Sequence, residues 1–101
     1  MHMFVIVSTY RAKIGEEDAI IALHEDWQRK QGLDVKVYIS WELLRNIEAP
    51  SEFIVITHFE NEELARAMAD EFNQDAWYSR LVSLLEEGPA NTRYVSEWRA
   101  P

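Results

Sequence analysis

The chain has 101 residues, 48% of them hydrophobic, with four Trp, four Tyr and four Phe; a chain of this length makes one domain and buries roughly two-thirds of the surface it exposes unfolded. Ten basic against eighteen acidic residues give a net charge of −8, a surface that repels phosphate backbones and anionic lipid and disfavours nucleic acid and membrane partners. The absence of cysteine excludes disulfides, thiolate metal sites and a Cys nucleophile, and no apolar run nears the ~18 residues of a membrane span, so a cytoplasmic protein with one domain over residues 1–101 is expected.

The first element, "MFVIVSTYRA", alternates as a strand with Phe4, Ile6, Ser8 and Tyr10 on one face and Met3, Val5, Val7 and Thr9 on the other. Both faces are largely apolar, which points to a central strand. "EEDAIIALHEDWQRKQG" then turns to helical spacing, with Ile20, Leu23 and Trp27 at i, i+3 and i+7. Glu16, Glu17 and Asp18 sit in its first turn, Arg29 and Lys30 in its last, and Gly32 marks its stop. "DVKVYISWELLRN" alternates again, placing Val35, Val37, Ile39, Trp41 and Leu43 on one face, and it pairs as a hairpin with "FIVITHF" through a turn at Pro50. Asn61 caps a second helix whose stripe is Leu64, Met68 and Phe72. After an interruption at Asn73-Gln74-Asp75 the stripe resumes through Trp77 or Tyr78, Leu81, Leu84 and Leu85, and Gly88-Pro89 ends it. "TRYVSEWRA" closes the chain as a strand with Tyr94, Ser96 and Trp98 on one side.

The order β-α-β-β-α-β, with two helices to cover four strands, predicts an α+β, ferredoxin-like sandwich with a four-stranded antiparallel sheet in the order 4-1-3-2. That order makes the first and third strands central, and these are the two that are apolar on both faces. Helices can cover one face; the other still carries apolar and aromatic residues. A sheet-to-sheet homodimer is the simplest way to bury it.

The stretches "FVIVSTYRAKIGEED", "WELLRNIEAPSEFIVITHFENEE" and "FNQDAWYSRL" resemble the antibiotic biosynthesis monooxygenase family, the similarity running over residues 3 to 98 and being most specific in the hairpin. The resemblance implies a dimeric α+β barrel in which two ferredoxin-like sheets pack face to face. Some members oxidise aromatic polyketide intermediates without metal or flavin, by deprotonating an electron-rich substrate whose carbanion reacts with O₂. Others degrade haem or isomerise small metabolites. The haem-degrading branch implies an Asn, a Trp and a His at the positions held here by Ser8, Met68 and Tyr78 (or Trp77), and none of the three is present. What remains implied is a cofactor-independent monooxygenase acting on a small aromatic or enolisable substrate. A non-catalytic homodimer that binds a small hydrophobic molecule, or a cofactor-free isomerase, is the alternative.

Among candidate site residues, Trp77 and Tyr78 fall where family members bind ligands. One ring would pack while the other roofs a pocket, with the Tyr78 hydroxyl orienting a substrate; otherwise both pack at a helix kink. His58, on the third strand, is the candidate base, since an imidazole titrating near 6.5 can take a carbon acid's proton; Glu60, two residues on along the same face, is the local partner. A lone strand histidine is more often structural. His24 flanks the Ile20/Leu23/Trp27 stripe, a position ordinarily solvated, but His24 and Trp27 share a cleft if the helix turns them that way. Ser8 and Tyr10 line the pocket floor if their face meets the helices, and Met68 joins the lining from the second helix. His2, His24 and His58 lack metal-ligand spacing, so no metal and no cofactor is expected.

Overall fold

Alternation in "FVIVSTYRA" and "EFIVITHF" places one face of each strand under the helices and the other outside, and the architecture follows from that. The computed structural model describes residues 3–29, 40–74 and 76–100. In chain order these form β1 (Phe4–Ala12), α1 (Glu17–Trp27), β2 (Ser40–Arg45), β3 (Glu52–Phe59), α2 (Glu62–Gln74), α3 (Ala76–Ser83) and β4 (Leu85–Val95). The sheet is antiparallel in the order β2-β3-β1-β4, the expected 4-1-3-2 seen from its other end. β1 and β3 are central, as their doubly apolar sequences require. Lys30, Gly32 and residues 34–39 of the expected second strand lie outside the described residues.

The inner face of the sheet supplies Phe4, Tyr10, Ala12, Phe53 and Phe59 to the core, with Ile6, Trp41, Leu43 and Val55 packed against them. Helix α1 answers with Ile20, Leu23, His24 and Trp27, whose i, i+3, i+4, i+7 spacing is one continuous helical stripe. Its start is tied down by Glu17, which accepts from the Gly15 amide at 2.9 Å and from the Ser51 hydroxyl at 2.6 Å. The Asn61 side chain caps α2 by accepting from the Leu64 amide at 2.9 Å, and Ala65 and Met68 bury its inner side. The Phe72 side chain, expected in that stripe, lies outside the described ones.

Two expectations about the C-terminal third are corrected. The helical stripe does not run to Gly88-Pro89: α3 ends at Ser83, Leu84 makes the turn by donating its amide to the Leu81 carbonyl, and β4 begins at Leu85. Proline is tolerated within that strand because β4 is an edge strand, and because the pairing is irregular there. Thr9 faces Ala90 and Arg11 faces Glu87, so Tyr10 stands opposite both Gly88 and Pro89 in a β-bulge. Gly88 has φ +95°, and a Cβ on it would lie 2.7 Å from the Thr9 carbonyl oxygen and 2.9 Å from Tyr10 Cβ; the close approach of the two strands demands glycine. The last strand also stops at Val95, leaving Ser96 and Trp98 beyond it, Trp98 at 83% exposure.

The sheet's outer face carries Val5, Val7, Ile56 and the exposed Leu44, Ile54 and Tyr94. Among the described residues, none covers Leu44, Ile54 or Tyr94. Among the described residues no helix is long and apolar enough to cross a membrane.

Candidate active site

A cavity of about 150 Å³ opens between the helices and the inner face of the sheet. Its floor is built from β1, β3 and β4 by Ile6, Ser8, Val55, Thr57 and Asn91, and its roof from the helices by Met68, Trp77, Tyr78 and Leu81. Tyr10, His24, Trp27 and Trp41 close one side. Helix α3 carries the adjacent rings of Trp77 and Tyr78: Trp77 is buried and pinned by its indole N–H, which donates to the Leu23 carbonyl at 2.8 Å, while Tyr78 is half-buried beside it. Both line the space.

The polar chemistry is concentrated in one pair. His24 is 5% exposed, with Nδ1 2.8 Å from the Ile20 carbonyl and Nε2 2.5 Å from the Tyr10 hydroxyl. A carbonyl can only accept, so Nδ1 carries the proton; in the neutral ring Nε2 is then an acceptor, and the Tyr10 hydroxyl donates to it. Burial pushes the His24 imidazole below the usual histidine range, the Ile20 hydrogen bond countering in part. Burial also drives the Tyr10 phenol well above its usual range, so both groups are neutral at pH 7. Rings fix the imidazole from several sides: Trp77 stands edge-on at 5.1 Å, Tyr10 stacks at 5.9 Å and Trp41 tilts at 5.9 Å. Trp41 is itself held by its indole N–H, which donates to Gln28 Oε1 at 2.7 Å. A second polar spot lies on the floor, where the Ser8 hydroxyl donates to Asn91 Oδ1 at 2.6 Å.

The structure thus brings Ser8, Tyr10, His24, Trp27, Met68, Trp77 and Tyr78 to one cavity and leaves His58 out. On β3 the inner-facing residues are Phe53, Val55, Thr57 and Phe59; His58 points the other way, its backbone paired with Val5 and Ser40 and its Nδ1 3.5 Å from the Ser40 hydroxyl. The reason is the period-two alternation of a strand: Phe53 and Phe59 are the buried faces, and position 58 has the opposite parity. His24 reverses in the other direction, since the flank expected to be solvated is part of the buried stripe. Thr57, Trp41 and Asn91 were not among the sequence candidates. The parity argument identifies Thr57; Asn91 depends on where β4 begins, which the Leu84-Leu85 continuation of the helical pattern concealed. Among the described residues no three His, Asp or Glu side chains are grouped so as to hold a metal ion.

Neither a protein-family model nor a curated protein sequence matches the chain. Solved structures do, over nearly its whole length. A protein from Nitrosomonas europaea, named as a candidate antibiotic biosynthesis monooxygenase, superimposes with a TM-score of 0.79 at 14% identity, covering 99% of this chain and 95% of its own. A similarly named protein from Bordetella bronchiseptica gives 0.74 at 18% identity, covering 93% of this chain and 96% of its own. The fold is that of the antibiotic biosynthesis monooxygenases. A variant of SnoaB from Streptomyces nogalater, described as a cofactor-independent oxygenase, shares this monooxygenase fold with a TM-score of 0.74 at 10% identity, over 98% of this chain and 95% of its own. Identity this low carries the monooxygenase fold; which reaction the fold hosts has to be argued from the cavity.

Proposed function

We propose that this chain is a cofactor-independent monooxygenase of the antibiotic biosynthesis monooxygenase type, acting on a small aromatic or enolisable substrate held in the cavity. The observation that carries the proposal is the buried Tyr10–His24 pair on the wall of a largely apolar, aromatic-lined space. Tyr10 Oη donates to His24 and keeps its lone pairs, so it accepts the acidic proton of a substrate O–H or C–H as its own proton passes to Nε2. The net result is one proton on His24 and an electron-rich enolate or carbanion in a site with little water. Transfer of electrons from that carbanion to O₂ and collapse of the resulting peroxide turn a CH₂ group into C=O and release one water; the substrate supplies all the electrons. Trp77, Tyr78, Met68 and Trp27 would hold the ring, and Ser8 with Asn91 a polar substituent.

The base is therefore assigned to His24 acting through Tyr10 in place of His58. Oxygen uptake with a panel of one- to three-ring phenols and phenolic ketones tests it. His24→Gln and Tyr10→Phe should each lower kcat by about 10²-fold or more, the usual contribution of a positioned acid–base group. Wild-type rates in both variants would sink the mechanism, and ligand binding with no oxygen uptake would leave a binding protein.

We further propose that two copies pair through the outer sheet face in a cytoplasmic homodimer. Val5, Val7, Leu44, Ile54, Ile56 and Tyr94 form an apolar surface of the kind that soluble chains cover. At ~25 cal/mol per Å², a few hundred Å² from each subunit gives several kcal/mol towards association. Sedimentation at micromolar concentration should give about twice the 11.9 kDa chain mass; a monomer there would refute the pairing.

A further inference from the structure

We infer that the cavity selects an uncharged, single-ring compound with an oxygen substituent at each end, in preference to polycyclic or anionic aromatics; the inference rests on the cavity being the substrate site proposed above. Size comes first. The space is about 150 Å³, and an apolar cavity of that order is known to hold one benzene ring. Its walls cannot easily widen. Trp77 is fixed by its bond to Leu23, Trp41 by its bond to Gln28, and Trp27 packs against Trp77 with ring centres 5.5 Å apart. Trp27 and Trp77 are buried, and buried rings yield little, because interiors are packed as densely as organic crystals.

Charge comes next. None of the described residues that line the cavity is Asp, Glu, Lys or Arg. A carboxylate entering it would lose its hydration and find no cation, and burial keeps the single imidazole neutral. Polarity then gives the pattern of substituents. Besides the hydroxyl-bearing Thr57 and Tyr78, the described lining has two hydrogen-bonded pairs, Tyr10–His24 on the side wall and Ser8–Asn91 on the sheet floor. A ring spanning them presents one oxygen to each, which also rewards a ligand over plain benzene, since each spot keeps unused lone pairs or amide protons.

Isothermal titration calorimetry under nitrogen, at pH 7.5, separates these terms with 4-hydroxyacetophenone, 4-hydroxybenzoate and anthrone. The ketone should bind; the carboxylate of nearly the same size and three-ring anthrone should each bind at least about tenfold more weakly, the loss of unpaired burial and of poor fit respectively. Ala65→Leu, which fills the buried roof beside Met68, should abolish ketone binding, with circular dichroism confirming that the chain is folded. Met68→Ala should narrow the gap between anthrone and the ketone. Anthrone or the carboxylate binding as tightly as the ketone to the wild-type chain overturns the inference, and so does failure of the ketone to bind. Oxygen uptake is read separately. A chain that binds the ketone but consumes no O₂ retains this selectivity and loses the oxygenase reading, whereas one that oxidises anthrone without binding the ketone does the reverse.

Discussion

The two faces of one sheet are similar in composition and opposite in environment. Phe53 and Ile54 are neighbours on β3, yet Phe53 is 1% exposed and Ile54 is 39% exposed. Each face also has a histidine. His24 meets the inner face and is locked by two hydrogen bonds among three rings, whereas His58 on the outer face touches a serine at 3.5 Å. What separates a candidate base from a surface imidazole here is cover: the helices desolvate one ring, fix its tautomer and aim its lone pair. The largest test of that contrast is the pair of adjacent truncations. Phe53→Ala should destabilise the chain by about 3–5 kcal/mol, the cost of a large core cavity. Ile54→Ala should cost roughly 1 kcal/mol or less in the dilute monomer, since its side chain is already partly in water. Urea denaturation below the association concentration measures both, and equal losses would mean that the outer face is covered within a single chain.

A smaller effect is expected at the bulge that seats Tyr10. Gly88→Ala puts a Cβ within 2.7 Å of backbone at a positive φ, which should destabilise the fold by about 2–3 kcal/mol. Because Gly88 stands opposite Tyr10, the inner face should register it in the site as well, as weakened ligand binding. The outer face should not: Thr92, paired with Val7 on that side of β4, should accept Val with a change within ~0.5 kcal/mol.

The sheet order was legible because β1 and β3 are apolar on both faces, and only central strands need that. The start of α2 was legible in Asn61 followed by two glutamates. The cavity was legible in part: alternation along β1 groups Ser8 with Tyr10, and the paired rings at 77 and 78 both line it. The base was not. His24 lies at i+4 from Ile20, within the stripe, but its polarity argued for solvent; the compensating partners, the Ile20 carbonyl and Tyr10 from another element, become visible once the chain is folded. His58 looked central because its strand is central, while its parity with Ile54 and Ile56 sent it to the other face.

Titration offers a finer separation of the faces. The folded His24 has its pKa depressed by burial, so both states are neutral and stability is complete above the unfolded value of ~6.5. As pH falls below that, the unfolded chain takes up a proton first, and stability drops by up to ~1.4 kcal/mol per pH unit until the folded-state pKa is passed. Tyr10, the titratable group facing His24, stays protonated throughout because its pKa is raised. His24→Gln should flatten the stability profile between pH 6.5 and the folded-state value; an unchanged slope in that variant would show that the imidazole is not held neutral by burial.

The smallest expected effect is at His58. Its Ser40 contact sits at the 3.5 Å limit of a hydrogen bond and is exposed, and such contacts contribute little against competing water. His58→Gln should therefore change the stability of the monomer by less than ~0.5 kcal/mol. It should also leave kcat within about twofold, because a side chain on the far side of the sheet cannot reach a proton held at Tyr10. Its consequence should appear in association instead. If a second copy covers Ile54 and Ile56, His58, next to Ile56 on the same face, becomes buried with its partner's surface, and the sedimentation midpoint should move while the single-chain urea midpoint does not. A large drop in kcat with an unchanged association midpoint would reverse the assignment of the two histidines, and with it the reading of which face of the sheet is the active one.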